Sequence, residues 1–219
     1  QRAAGRRMNR GREVVVGTAV DAEIDGRDQL VRRALDPDEF EKLVATTEQS
    51  LRKFCKLSGR RRAMLYRLAA ATGLRKKEIA SLRPWSFRLD SSPPHIQVEA
   101  SCTKNKKIAT QPVPLSLVPL LRDYLKGLPA DEPVWPIGKG LTNLMVKKDL
   151  IEAGIPVAVA GQTFDFHSLR GQYATRLAKA GVGLAAAQKL LRHCTPTLTA
   201  NVYTHLGLTD LAKEVEKLG

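Results

Sequence analysis

Residues 164–205 read FDFHSLRGQYATRLAKAGVGLAAAQKLLRHCTPTLTANVYTH, and the rest of the chain is organised around them. Three of the four histidines of the protein fall here. His167 and Arg170 are three residues apart, so a helix sends both side chains from one face, within reach of one anion. Leu169, Tyr173, Ala174 and Leu177 give that helix a separate apolar stripe, which leaves the polar pair free of core duty, and Gly181 marks its stop. A second helix is expected over 184–192, ending at His193. A third opens with Thr195 as N-cap and Pro196 at its first position, and carries Tyr203.

Asp165 is the one carboxylate in this stretch. A cluster of His, Arg, His and Tyr so poor in acid suits an anion whose charge grows during reaction, and a phosphodiester is such an anion. Planar guanidinium groups can hold its non-bridging oxygens, most strongly in a trigonal-bipyramidal transition state. A phenol, with a pKa near ~10, becomes a nucleophile only beside a base or in a strong positive field. The histidines and arginines can supply both.

The same residues carry a resemblance. His167-Ser168-Leu169-Arg170, Leu190-Leu191-Arg192-His193 and Tyr203-Thr204-His205 resemble the HxLR, LGH and YxH boxes of the tyrosine recombinases, the phage integrase family. Ala71 to Glu78 (ATGLRKKE) resembles the first arginine box, TGLRxxE. Thr103-Lys104-Asn105-Lys106-Lys107, followed by Pro112-Val113-Pro114-Leu115, resembles the hairpin lysine and the strand behind it. Five boxes in the family's order cover roughly residues 35–205. Arg192 stands where the pattern usually has glycine, and Gly171-Gln172 replaces a bulkier pair.

That resemblance implies a mostly helical α+β catalytic domain with a small three-stranded antiparallel sheet. It implies Tyr203 as nucleophile on DNA, Arg75 and Arg170 as phosphate holders, Lys104 as general acid, His167 as proton-transfer aid and His193 as donor to a non-bridging oxygen. The product would be a 3′-phosphotyrosyl link, formed without nucleotide cofactor or metal. The partners implied are double-stranded DNA and a homotetramer assembled on it. Rival readings are a type IB topoisomerase, a non-catalytic DNA-binding regulator on the same scaffold, a zinc site from His167, His193, Cys194 and His205, and a Cys194 nucleophile. The zinc reading lacks any short ligand pair at finger spacing.

The whole chain agrees with a polyanionic partner. Thirty-six Lys plus Arg against twenty-two Asp plus Glu give a formal charge of +14 over 219 residues, the electrostatic footprint of a nucleic-acid binder or, more blandly, a solvated basic surface. Cys55, Cys102 and Cys194 are odd in number and far apart, which indicates neither a disulfide framework nor a zinc knuckle but a reducing, cytoplasmic setting. No apolar run reaches the ~20 residues of a membrane span.

In chain order, residues 1–34 read as a basic arm and linker, with a short strand over 13–20, and 35–219 as the catalytic domain, its usual N-terminal DNA-binding companion being outside the fragment. Asp36-Pro37-Asp38-Glu39 is a helix start with a capping box. The apolar stripe behind it runs from Phe40 through Leu43, Val44, Thr47 and Leu51 to Phe54 and Cys55. Ser58 caps the next helix, whose Arg60, Arg61 and Arg62 read equally as phosphate contacts or as a solvated face. Gly73 ends it. Arg75 opens a short helix over 76–83 that Pro84 terminates, and Glu78 reads as its orienting partner. Strands are expected over 87–90, 96–100 and 108–113, the last two joined by a turn that presents Lys104, Lys106 and Lys107. Lys106 and Lys107 suit nonspecific phosphate contact. Ser116 caps a core helix bearing Leu117, Leu120, Leu121, Tyr124 and Leu125. A helix over 141–153 offers Lys147 and Lys148 to DNA, and an amphipathic helix over 209–218 closes the chain, docking on a neighbouring protomer or on its own domain.

Overall fold

The computed structural model describes residues 32–54, 56–103, 106–138, 140–193 and 195–203, with 212, 215 and 216, and gives 202 and 203 as backbone only. The strand expected over 13–20 and the closing helix over 209–218 lie outside or almost outside these residues.

Helix α1 (Pro37–Gln49) opens with a capping box, in which the Asp36 side chain accepts from the Glu39 amide at 2.7 Å and Glu39 accepts from the Asp36 amide at 3.2 Å. It buries Phe40, Leu43, Val44 and Thr47, each large aliphatic side chain adding roughly 1.5–3 kcal/mol of stability. The stripe does not continue: the helix stops at Ser50 and Leu51 is 98% exposed. Helix α2 (Gly59–Thr72) packs against α1 and against the later helix Ser168–Lys179. Its first residue has to be small, because a Cβ at Gly59 would lie 2.3 Å from the Thr47 carbonyl oxygen. Leu65, Tyr66 and Leu68 on α2 are wholly buried, so this helix runs through the core.

The α2 triplet divides three ways, which corrects both readings of it, as one phosphate-contacting set or as one solvated face. Arg60 is exposed and paired with Asp123 at 3.0 Å. Arg61 turns inward to the Val134 carbonyl at 2.6 Å. Arg62 is fully buried: it forks onto Asp149 at 2.9 and 3.0 Å and donates to the carbonyls of Arg52 and Leu57. The Tyr66 hydroxyl adds a 2.6 Å bond to Asp149, and burial, then the adjacent carboxylate, pushes its pKa well up. Arg62 is part of the core and reaches no DNA.

After Gly73, in the left-handed region at φ 60°, Arg75 is the N-cap of the short helix α3 (Lys76–Ser81). The three-stranded antiparallel sheet follows in the order β1 (Phe87–Arg88), β2 (His95–Val98), β3 (Ala109–Pro112), with Ile96 facing Phe87 on one side and Gln111 on the other. Ile96 and Val98 enter the core. Past β2 the chain makes a 3-10 turn at Ala100–Cys102, and Thr103 locks the return, its hydroxyl bonded to the Lys107 carbonyl at 2.7 Å. Another 3-10 turn, Leu115–Leu117, holds Ser116, so α4 (Val118–Leu125) starts later than expected and has no side-chain cap. Leu120 points outward, 46% exposed, while Tyr124 stacks on the buried Trp135 at 5.5 Å.

Helix α5 (Thr142–Glu152) packs on α1 and carries Lys147 and Lys148 on its exposed side. A two-stranded hairpin, β4 (Ala158–Val159) with β5 (Gln162–Thr163), was not expected from the sequence. Helices α6 (Ser168–Lys179), α7 (Leu184–Leu191) and α8 (Pro196–Tyr203) pack on one another, and α6 lies along α2. The architecture is the expected mostly helical α+β domain with its small three-stranded sheet. No described helix is long and apolar enough to cross a membrane.

Candidate active site

Four of the six residues proposed for catalysis come together where α2, α3, α6 and α7 end or begin. Arg75, as N-cap of α3, is half-buried and held from two sides. Its Nη1 donates to Glu78 at 3.1 Å, its Nη2 to the Arg192 carbonyl at 3.0 Å, and its backbone amide to the other Glu78 oxygen at 2.7 Å. Glu78 is only 1% exposed, so this carboxylate leaves water to face cationic and amide donors.

Arg170 corrects the expectation of a polar face free of core duty. It is 7% exposed, and its guanidinium donates to the carbonyls of Gly73, at the end of α2, and Leu191, at the end of α7. Helix ends leave carbonyls without intrahelical partners, and one planar guanidinium with five donors serves two of them. Burial, then the charge of Arg75 and Arg192, lowers its pKa to about 9. Gly73 is required here twice over. Its φ is positive, and a Cβ would meet the Tyr173 ring at 2.4 Å.

His193 follows α7, its Nδ1 at 3.0 Å from the Thr199 hydroxyl of α8. Desolvation first, then Arg170, Arg75, Arg192 and His167, brings its pKa down to about 4, so the ring is neutral near pH 7. His167, at the N-cap of α6, remains exposed across much of its surface, yet the surrounding protein desolvates its ring enough to lower its pKa, with Arg32 the next cause. Asp165 pairs with Arg32 at 3.1 Å and accepts from the Ser168 amide at 2.9 Å, which fixes the turn into α6.

Arg192 was noted in the sequence only as a departure from a pattern. It caps α7 in the left-handed region, φ 49°, a conformation that costs a non-glycine residue about 1–3 kcal/mol. Its guanidinium pairs with Glu78 at 2.7 Å and donates to the Gln111 side-chain oxygen of β3. Gln111 and Thr199 are likewise buried members of the site that no spacing singled out. A cavity of about 730 Å³ opens here, lined by Arg75, Glu78, Thr103, Gln188, Arg192 and His193 among others.

Lys104 lies outside the described residues. Tyr203 is described as backbone alone, at the last turn of α8, a helix packed on both α6 and α7. Lys106, at φ 52°, and Lys107 are exposed at the β2–β3 turn. Among the described residues no group of three or more His, Cys, Asp or Glu could hold a metal ion; Cys194 and His205 of the zinc alternative lie outside them.

This fold is the one found in tyrosine recombinase catalytic domains. It matches the crystal structure of XerA recombinase with a TM-score of 0.66 at 21% identity, covering 87% of this chain and 65% of that one. It matches the catalytic domain of bacteriophage HP1 integrase with a TM-score of 0.57 at 20% identity, covering 84% and 94%. Residues 33–208 match the Phage integrase family, and the chain belongs to that family. A tyrosine recombinase XerC-like protein of Caldanaerobacter subterraneus subsp. tengcongensis is 27% identical over 202 residues, 74% of this chain and 50% of that protein. The chain thus spans about half the length of the curated relatives it matches.

Proposed function

We propose that the protein is a site-specific DNA recombinase that cuts and rejoins strands through a covalent link to Tyr203. The observation that carries this is a charge imbalance. Three guanidinium groups, of Arg75, Arg170 and Arg192, gather around one buried carboxylate, Glu78, beside a histidine that is neutral near pH 7. Such an excess of fixed positive charge at a cleft is suited to an anion, and most of all to one that gains charge in its transition state.

In the proposed reaction the Tyr203 hydroxyl attacks the phosphorus of a DNA phosphodiester. A 3′-phosphotyrosyl bond forms as the bond to the 5′ oxygen breaks. Lys104 delivers the proton that turns the leaving alkoxide into a free 5′-hydroxyl, His167 assists removal of the tyrosine proton, and His193 donates to a non-bridging oxygen. Arg75 and Arg170 hold the phosphate. A 5′-hydroxyl from a second strand then reverses the step, so exchange conserves the bond energy. Pairing of two sites calls for a homo-oligomer, a tetramer on double-stranded DNA, and the setting is cytoplasmic. Exposed Lys106, Lys107, Lys147, Lys148 and Arg60 serve the flanking phosphates.

The test is covalent capture. The chain is incubated with a library of nicked duplexes of random sequence, and DNA resisting denaturant and released by protease is sequenced. An enriched site is expected with the native chain and none with Tyr203→Phe, which should bind the same DNA within about twofold, since only the reacting oxygen is lost. An adduct that survives Tyr203→Phe moves the nucleophile elsewhere. No adduct from the native chain overturns strand cleavage.

A further inference from the structure

Arg192 takes part in no step above, yet it joins three elements of the site, α7, α3 and β3. From the end of α7 its guanidinium reaches Glu78 of α3 and Gln111 of β3, while its carbonyl accepts from Arg75. Gln111 continues the chain of bonds to the Tyr173 hydroxyl of α6 at 3.4 Å. The Arg192 side chain is 16% exposed against 30% for Arg75, so it is the more deeply buried of the two. A helix stop at φ 49° is met with least strain by glycine. What arginine adds at this position therefore comes from its side chain.

We infer that Arg192 is a positioning residue for strand cleavage: it takes the second oxygen of Glu78 and ties it to β3, so that Arg75 stays aimed at the scissile phosphate with its charge uncancelled. The inference rests on the strand-cleavage reading. A carboxylate alone with one arginine closes a two-toothed fork that occupies two of its donors and neutralises it. Here Glu78 gives Oε1 to the Arg75 guanidinium, while Oε2 goes to the Arg75 backbone amide and to Arg192. The three guanidinium groups and Glu78 thus keep two positive charges unbalanced. Without Arg192, Glu78 is free to turn both oxygens onto Arg75, and one unbalanced charge is left. The bond to Gln111 adds a mechanical consequence, because it ties β3 to the end of α7. The place of β3 relative to Arg75 is then set through Arg192.

Two variants divide charge and geometry. Arg192→Gly keeps the left-handed turn and the carbonyl that binds Arg75, and removes the guanidinium. Arg192→Lys keeps a charge but has no planar fork to reach Glu78 and Gln111 together. Single-turnover cleavage is measured on the captured site with its ordinary scissile phosphate and with a neutral methylphosphonate in its place. Arg192→Gly is expected to cleave the phosphodiester about tenfold more slowly or worse, with DNA affinity within about twofold, and to lose much less on the methylphosphonate, where less charge must be balanced. Arg192→Lys should fall between the two chains. An equal deficit on both substrates, or none, overturns the inference; a general loss of folding would give the equal deficit together with a lower Tm. A native chain that forms no adduct with either substrate overturns the strand-cleavage reading and this inference with it. That result is distinct from an active native chain matched by Arg192→Gly.

Discussion

His193 shows how far a residue's chemistry depends on what surrounds it. Its ring is partly desolvated and feels the charges of Arg170, Arg75, Arg192 and His167, which together hold its pKa at about 4. The unfolded chain takes up that proton near ~6.5, so between ~6.5 and about 4 the unfolded state binds more protons than the folded one. The stability owed to this histidine is fully present above ~6.5 and is lost as pH falls towards the folded value. A histidine NMR titration of the DNA-free protein should place the His193 midpoint near 4, and Arg192→Gly should raise it by removing one of the opposing charges. A midpoint near 6.5 in the native chain would show that the cations do not crowd this ring. Arg170 carries the opposite lesson about legibility. Its membership of an HxLR box could be read from the sequence, but its burial could not, because the carbonyls it serves belong to helix ends 97 and 21 positions away in the chain.

At the scale of elements, the joint between α2 and α5 depends on one carboxylate. Asp149, 2% exposed, receives both arms of Arg62 and the Tyr66 hydroxyl. Asp149→Ala should destabilise the fold by roughly 3–5 kcal/mol, since it strands a buried guanidinium. Arg60→Ala, which breaks a pair 64% exposed on both sides, should cost less than about 1 kcal/mol. Urea denaturation of the two variants checks the contrast; similar midpoints would mean that water reaches Arg62. Sequence reading treated the three arginines alike because charge alone does not distinguish helix faces when the partner is 87 positions away. It located α1 and α2 from local signals, Asp36-Pro37 and Ser58 at their starts and Gly73 at a stop. It missed β4 and β5, whose two-residue strands are too short to show alternation and whose turn uses Ala160 at φ 49° beside Gly161.

For the whole molecule, the net charge of +14 is a statement about association that needs no detail of the site. Each phosphate neutralised on duplex DNA releases condensed counterions, so log affinity should fall with log salt by about 0.9 per contact. The fold decides which cations take part. Arg62 is inside and contributes nothing, while Arg60 shares its charge with Asp123 and contributes less than a free lysine. Lys106 and Lys107 stand free of described ion pairs at the β2–β3 turn, beside the cleft that Thr103 helps to line. Fluorescence anisotropy on a short duplex at several salt concentrations should therefore give a steep slope for the native chain, made shallower by about 1.8 when Lys106 and Lys107 are both replaced by alanine. The pair Lys147 and Lys148 on α5 should contribute a drop of the same size. Arg62 offers no matching test, because its replacement acts on folding. A slope near zero for the native chain would remove DNA as the main partner, whereas a steep slope unmoved by either lysine pair would keep DNA and shift its path to another face of the domain.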